Sequence, residues 1–319
     1  MSYAATWRLN TNLATPVREY VDTLLSDSTI SFLSWQRSGR RYKESARLVT
    51  SLFGSMLSDG GLELTFPSDL SPEEISEGIV ALMRPDSQLR SVRRLYRDVE
   101  AGHRAKKRTF SCFLNVHYGR AMGHALLLFV DYRSKTQVFF DGHGRTSRWG
   151  AFCEIEPLVT GFRVVPETEA LDFDGLQGHL ERWLDADQTG TCGLTTMMVL
   201  LVARRFNFWH LPGVANALRE AYPSDVDAGV MMQAFVSHYE ETLLRLNPAA
   251  DLVLSHEQKQ KLFEQLFPPM GKCLVYSERS GKLCSRKACK NGPVQAHCWQ
   301  HRHIMQSPYR RSKKCSARF

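Results

Sequence analysis

The pattern of apolar and polar positions divides the chain into a helical first third, a strand-rich middle and a helical end. Val17, Tyr20, Val21, Leu24 and Leu25 recur at helical spacing, and Leu48, Leu52 and Met56 continue it until Gly60-Gly61. Ser71-Pro72-Glu73-Glu74 reads as a helix start: a hydroxyl that caps, a proline suited to the first turn, and acids at the positive end. That helix carries Ile75, Ile79, Val80 and Met83. From Thr109 the period changes. Phe110–His117, His124–Tyr132 and Gln137–Asp141 read as strands, with Arg133–Thr136 as a hairpin turn and Phe162–Val165 as a fourth strand. Leu176–Leu184 is amphipathic, and Gly193–Phe206 is apolar nearly all round, the mark of a buried helix. Further helices are expected at Leu211–Ala221, Ala228–Leu246 and Ser255–Phe267, before Pro268-Pro269 closes the body. The expected class is α+β. Three regions follow: a helical N-terminal region at 1–107, a core with flanking helices at 108–269, and a terminal module at 270–319.

Composition narrows the function classes. With 43% hydrophobic and 23% charged residues, the chain has enough apolar surface to offset its chain entropy. The apolar runs Ala125–Val130 and Met197–Ala203 fall far short of the roughly 20 residues a membrane helix needs, so no membrane partner is expected. The N-terminus lacks a charged segment followed by an apolar one, so the protein is expected inside the cell and not secreted. The net charge of +8 is unevenly placed: Arg279–Phe319 holds 11 Lys and Arg and no acid, leaving 30 basic and 33 acidic residues elsewhere. Five of the eight cysteines lie beyond residue 270. A second basic stretch, eight residues between Arg90 and Arg108, reads as a solvated helix face and loop in preference to a surface for an acidic partner.

The most informative segment is Thr189-Gly-Thr-Cys-Gly-Leu-Thr-Thr, a glycine-bracketed Cys192 at the start of the buried helix. A helix N-terminus favours thiolate over thiol, and its N–H groups are placed to hold an oxyanion. His124 opens one strand, in Gly123-His-Ala-Leu-Leu-Leu-Phe-Val-Asp. Asp141 ends the next, 17 residues later, in Phe140-Asp-Gly-His-Gly. If the two strands pair as a hairpin, His124 and Asp141 meet at one end of the sheet, and the carboxylate orients the imidazole. His143 is a second histidine nearby, read mainly as part of a glycine turn.

The order His, Asp, Cys resembles the adenovirus protease and SUMO/ubiquitin-like protease superfamily. The runs Gly123-His-Ala-Leu-Leu-Leu-Phe-Val-Asp and Phe140-Asp-Gly-His-Gly are similar to its large-DNA-virus members. The resemblance covers about residues 108–210. It implies an adenain-like fold and a cysteine peptidase, with His124 as base, Asp141 as its orienter, Cys192 as nucleophile and a Gln as oxyanion donor. Two glutamines qualify: Gln188, four residues before Cys192 and favoured on proximity, and Gln177, 15 before, in Gly175-Leu-Gln. Ala125 departs from the pattern, since cellular members carry Trp after the histidine. The implied substrate is a protein: a viral structural precursor or, as an alternative, a ubiquitin-like conjugate. The implied location is the host cytoplasm or nucleus, or the virion. No cofactor is expected in catalysis. The same fold also admits an acyltransferase, or a non-catalytic nucleic-acid or scaffold-binding protein.

The terminal module has the chemistry of a metal site. Cys273, Cys284, Cys289, Cys298, His301 and His303 are soft ligands, and Cys298-x-x-His301 places two of them on one ion. Cys273 and Cys284 complete a tetrahedron, with Cys289 or His303 able to replace one member. The segment resembles short zinc-binding segments of large DNA viruses, which implies a structural zinc. Its lysines and arginines, interleaved with Trp299 and Tyr309, are candidates for nucleic-acid contact.

Overall fold

The structure is a computed structural model, and it describes residues 13–26, 42–118, 122–149, 152, 154–182, 191–206, 208–246, 255–267, 276–277 and 282–283. It is a mixed α+β protein built on one five-stranded sheet with helices on both faces. Helices α1 (Ala14–Ser26) and α2 (Tyr42–Leu57) precede strand β1 (Gly60–Phe66). Helices α3 (Pro72–Leu82) and α4 (Arg90–Arg104) follow, then β2 (Thr109–Tyr118), β3 (Met122–Asp131) and β4 (Thr136–Phe140). Strand β5 (Arg163–Val164) and the short helices α5 (Glu167–Ala170) and α6 (Leu176–Glu181) lead to α7 (Thr191–Phe206). Helices α8 (Leu211–Ala221), α9 (Asp225–Leu246) and α10 (His256–Leu266) close the body. Strands β6 (Tyr276–Ser277) and β7 (Lys282–Leu283) form a separate hairpin.

The sheet order is β1-β2-β3-β4-β5, with parallel pairs at both edges and an antiparallel β2-β3-β4 centre. Because helices cover both faces, the strands are apolar at successive positions. Along β3, Leu127 and Phe129 join the core beneath α7, while Leu126, Leu128 and Val130 join the core beneath α3 and α4. Helix α7 is enclosed by β3, α2, α6 and α8, which explains its all-round apolar sequence. Each buried leucine there contributes about 1.5–3 kcal/mol relative to exposure. The predicted start of α3 forms as a reciprocal cap: Ser71 Oγ accepts from Glu74 N, and Glu74 Oε2 accepts from Ser71 N.

One element corrects the helical reading of the first 107 residues. Gly60–Phe66 is a strand, parallel to β2, with Leu62 and Leu64 buried and Glu63 exposed between them. Helix α2 ends at Leu57, before the paired glycines, which begin β1. Smaller shifts concern ends: Thr136 belongs to β4 and not to the turn, Asp141 lies just past β4, and β5 is only Arg163–Val164. Among the described residues, no helix is long and apolar enough to cross a membrane.

Candidate active site

The site lies where β3 begins and β4 ends. The β3–β4 ladder runs from Leu127–Phe140 to Asp131–Thr136, so His124 and Ala125 extend past the end of β4. This overhang leaves the Ala125 backbone available to α7. Thr196 Oγ1 donates to the Cys192 carbonyl at 2.8 Å and lies 3.4 Å from the Ala125 carbonyl, a second acceptor within reach, so the helix start lies against the strand.

His124 Nε2 lies 2.9 Å from Asp141 Oδ1, and both side chains are buried. The Asp141 carboxylate is fully engaged. Oδ1 also accepts from the His143 N–H at 3.0 Å, and Oδ2 accepts from Ser147 Oγ at 2.5 Å. With Nε2 committed to Asp141, the other ring nitrogen of His124 is the one left for its hydrogen bond with the Cys192 thiol. The backbone N–H groups of Ala125 and Gly193 also favour the Cys192 thiolate.

The electrostatics follow from these contacts. Burial alone would raise the Cys192 thiol, but the hydrogen bond and charge of His124 and the two N–H donors outweigh it and hold its pKa below the ordinary value. Burial opposes the charge on His124, yet Asp141 and the Cys192 thiolate hold its pKa well above that of a free imidazole. Burial likewise opposes the Asp141 anion, and His124, His143 and Ser147 more than offset it, so the carboxyl titrates below its usual range. The three groups therefore favour a resting thiolate–imidazolium pair beside a carboxylate.

Aromatic rings fix the plane of His124. Trp149 stacks on one side at 5.1 Å and His143 at 5.2 Å, with interplanar angles of 17° and 23°. Burial and the positive His124 hold His143 below its ordinary pKa despite Asp141. Tyr118, at the end of β2, packs on Trp149, and burial together with the Cys192 charge raises its phenol pKa.

The two candidate glutamines differ in what can be said of them. Gln177 is buried in the first turn of α6, and its N–H donates to the Gly142 carbonyl at 2.8 Å. A Cβ at Gly142 would lie 3.0 Å from Thr195 Cγ2 and 3.3 Å from Gln177 Cβ, so Gln177 and the first turn of α7 converge on the residue after Asp141. Gln188 lies outside the described residues. So do Cys273, Cys284, Cys289, Cys298 and His301; in sequence, the hairpin of β6 and β7 lies between Cys273 and Cys284. Among the described residues, one group of side chains is spaced for a metal: His124, Asp141 and His143, with ligand atoms within 4.8 Å of one another. Two of its members, His124 and Asp141, are the pair already joined by a hydrogen bond.

Sequence reasoning missed Ser147, Trp149 and Tyr118, and gave His143 only a turn. Ser147 carried a weak signal, a hydroxyl six residues after Asp141 in a glycine-containing loop. Trp149 carried none, because the loop after β4 returns it to His124 from outside any periodic element. No family model, no curated protein and no solved structure matches the chain.

Proposed function

We propose that the protein is a cysteine peptidase of adenain-like fold, in which Cys192 is the nucleophile, His124 the general base and acid, and Asp141 the orienting carboxylate. The observation that carries the reading is the buried His124–Asp141 pair beside Cys192 in the first turn of α7, where His124 and nearby backbone N–H groups hold the thiol below its ordinary pKa. Surface ion pairs need no such burial, and a structural cysteine needs no lowered pKa. Cys112 illustrates the inert case: it is buried in the sheet, and its thiol is pushed up to about 12 by burial and nearby carboxylates.

In the proposed reaction the Cys192 thiolate attacks a peptide carbonyl carbon and forms a C–S bond. The charge passes to the carbonyl oxygen, which is stabilised by N–H donors at the start of α7 and by the Gln177 or Gln188 amide. The C–N bond then breaks as His124 gives its proton to the leaving amine. Water, deprotonated by His124, hydrolyses the thioester and restores the thiolate. Asp141 stays ionised throughout and holds the His124 ring in the orientation that both transfers need. The substrate class that fits the resemblance is a viral structural precursor. The C-terminal cysteines and histidine would hold a structural zinc by the same reasoning.

The test is direct. Full-length protein incubated with a peptide-ester library and quenched early should carry an acyl group on Cys192, located by mass spectrometry. Turnover without any acyl group on Cys192 would reject the assignment.

A further inference from the structure

Helix α4 presents a second feature, on the sheet face opposite α7. Its inner side is the apolar stripe Val92, Leu95 and Val99, with Gly102 closely packed against Tyr132. Its outer side carries Arg90, Arg93, Arg97 and Arg104, all exposed. At 100° per residue these four fall within about 60° of one another, directly opposite the buried stripe. They form a line about 21 Å long at 1.5 Å per residue.

The line is not neutralised from within. Arg94, at its side, pairs with Asp98, and Lys107 beyond the helix pairs with Asp59. Among the described residues, Arg90, Arg93, Arg97 and Arg104 have no carboxylate within ion-pair distance. Asp98 and Glu100 lie on the flanks of the line and not on it. Such self-repulsion is a cost the fold does not need, since α4 is already anchored by its apolar stripe and by the Tyr132 hydroxyl on the Val99 carbonyl.

We propose that the outer face of α4 binds the phosphate backbone of nucleic acid. Three properties select that partner. The charges are in a straight row, which matches a regular polyanion better than a folded acidic patch. All four are arginines, whose planar fork matches phosphate oxygens in two-point contacts. The apolar side of the helix is buried in the core, so nothing is left to insert into a lipid surface as an interfacial helix requires. The site is separate from Cys192, which begins α7 on the opposite face of the sheet.

The experiment measures binding of the full-length protein to a labelled DNA duplex of about 20 base pairs across about 50–200 mM salt. It is compared with the variant Arg90→Gln, Arg93→Gln, Arg97→Gln, Arg104→Gln. The terminal module is present in both proteins, so the difference isolates the helix. Four phosphate contacts contribute about −3.6 to the slope of log affinity against log salt, so the wild-type advantage should shrink about 150-fold over that range. Glutamine is a good helix former on an exposed face, and an unchanged melting temperature confirms that the variant is folded. The matching Arg→Lys variant keeps the charge and should keep the slope. Equal affinity and slope for wild type and the glutamine variant overturn the proposal. So does displacement of the DNA by polyglutamate at equal charge, which identifies an acidic protein as the partner, or loss confined to binding of phosphatidylserine vesicles.

Discussion

Replacing Asp141 with Asn removes one charge and little else. Asn can keep a carbonyl oxygen for the His124 and His143 N–H donors, while Ser147 turns to accept from the amide. The volume is nearly unchanged, so the loop and the ring stack should survive. What is lost is the attraction between carboxylate and imidazolium. At about 4 Å between charge centres and an effective dielectric near 20, that attraction is about 4 kcal/mol. Both side chains are buried, so solvent screening takes little from it. It corresponds to about three pKa units, or up to a thousandfold, in the equilibrium that moves the proton from Cys192 to His124. The sign is fixed by the structure. Wild-type Cys192 titrates below an ordinary thiol and His124 above an ordinary imidazole, so the reactive pair persists across the window between them. In Asp141→Asn the thiolate should form only at higher pH, and the window should narrow from both ends. The assay is site-resolved alkylation of Cys192 against pH, read by mass spectrometry, with circular dichroism to confirm the fold. An alkylation profile in the Asn variant that overlays the wild-type profile would mean that the carboxylate charge does not set the protonation of the pair.

Other predictions concern the supporting structure. Leu201→Ala, inside α7 and fully buried, should cost about 2–5 kcal/mol in denaturant unfolding; a loss under about 0.5 would show that α7 is not the packed centre described. Gly144 has φ +56, and a Cβ there would run into the Phe173 carbonyl, so Gly144→Ala should shift the loop that carries His143 and Ser147. The rate of the proposed peptidase reaction should fall at least tenfold with little change in KM, whereas an unchanged rate would show that the loop does not position Asp141. Zinc content should be about one ion per chain and should be lost in Cys298→Ser with His301→Ala; metal-free full-length protein that retains its fold would reject the zinc module.

The chemistry of the site was legible where it rested on period and register. The His124–Asp141 meeting follows from two strands joined by a short turn, because antiparallel pairing sets the start of one beside the end of the next. The position of Cys192 was legible because glycine beside a long apolar run marks a helix start. Gln177 was visible in Gly175-Leu-Gln, but its convergence with Gly142 and the first turn of α7 depends on how the chain folds back after β5. Trp149 was not legible at all: its place against His124 depends on how an aperiodic loop folds back onto the sheet. Strand β1 was hidden for another reason. Its glycine pair carries a stop signal for α2, and two buried leucines are too few to establish a period of two. The arginine row on α4 was visible as charge, but its alignment opposite the apolar stripe emerges only once the helix limits are known.

Everything proposed for the site rests on Cys192 being a nucleophile activated by His124. A peptide electrophile directed at cysteine peptidases, ending in a glycine-rich sequence, probes this in one experiment on full-length protein. Labelling of Cys192 should be stoichiometric near neutral pH, abolished in Cys192→Ala and lowered by at least a hundredfold in His124→Ala. Equal labelling rates in wild type and His124→Ala, or label spread over the other cysteines with Cys192 untouched, would contradict it.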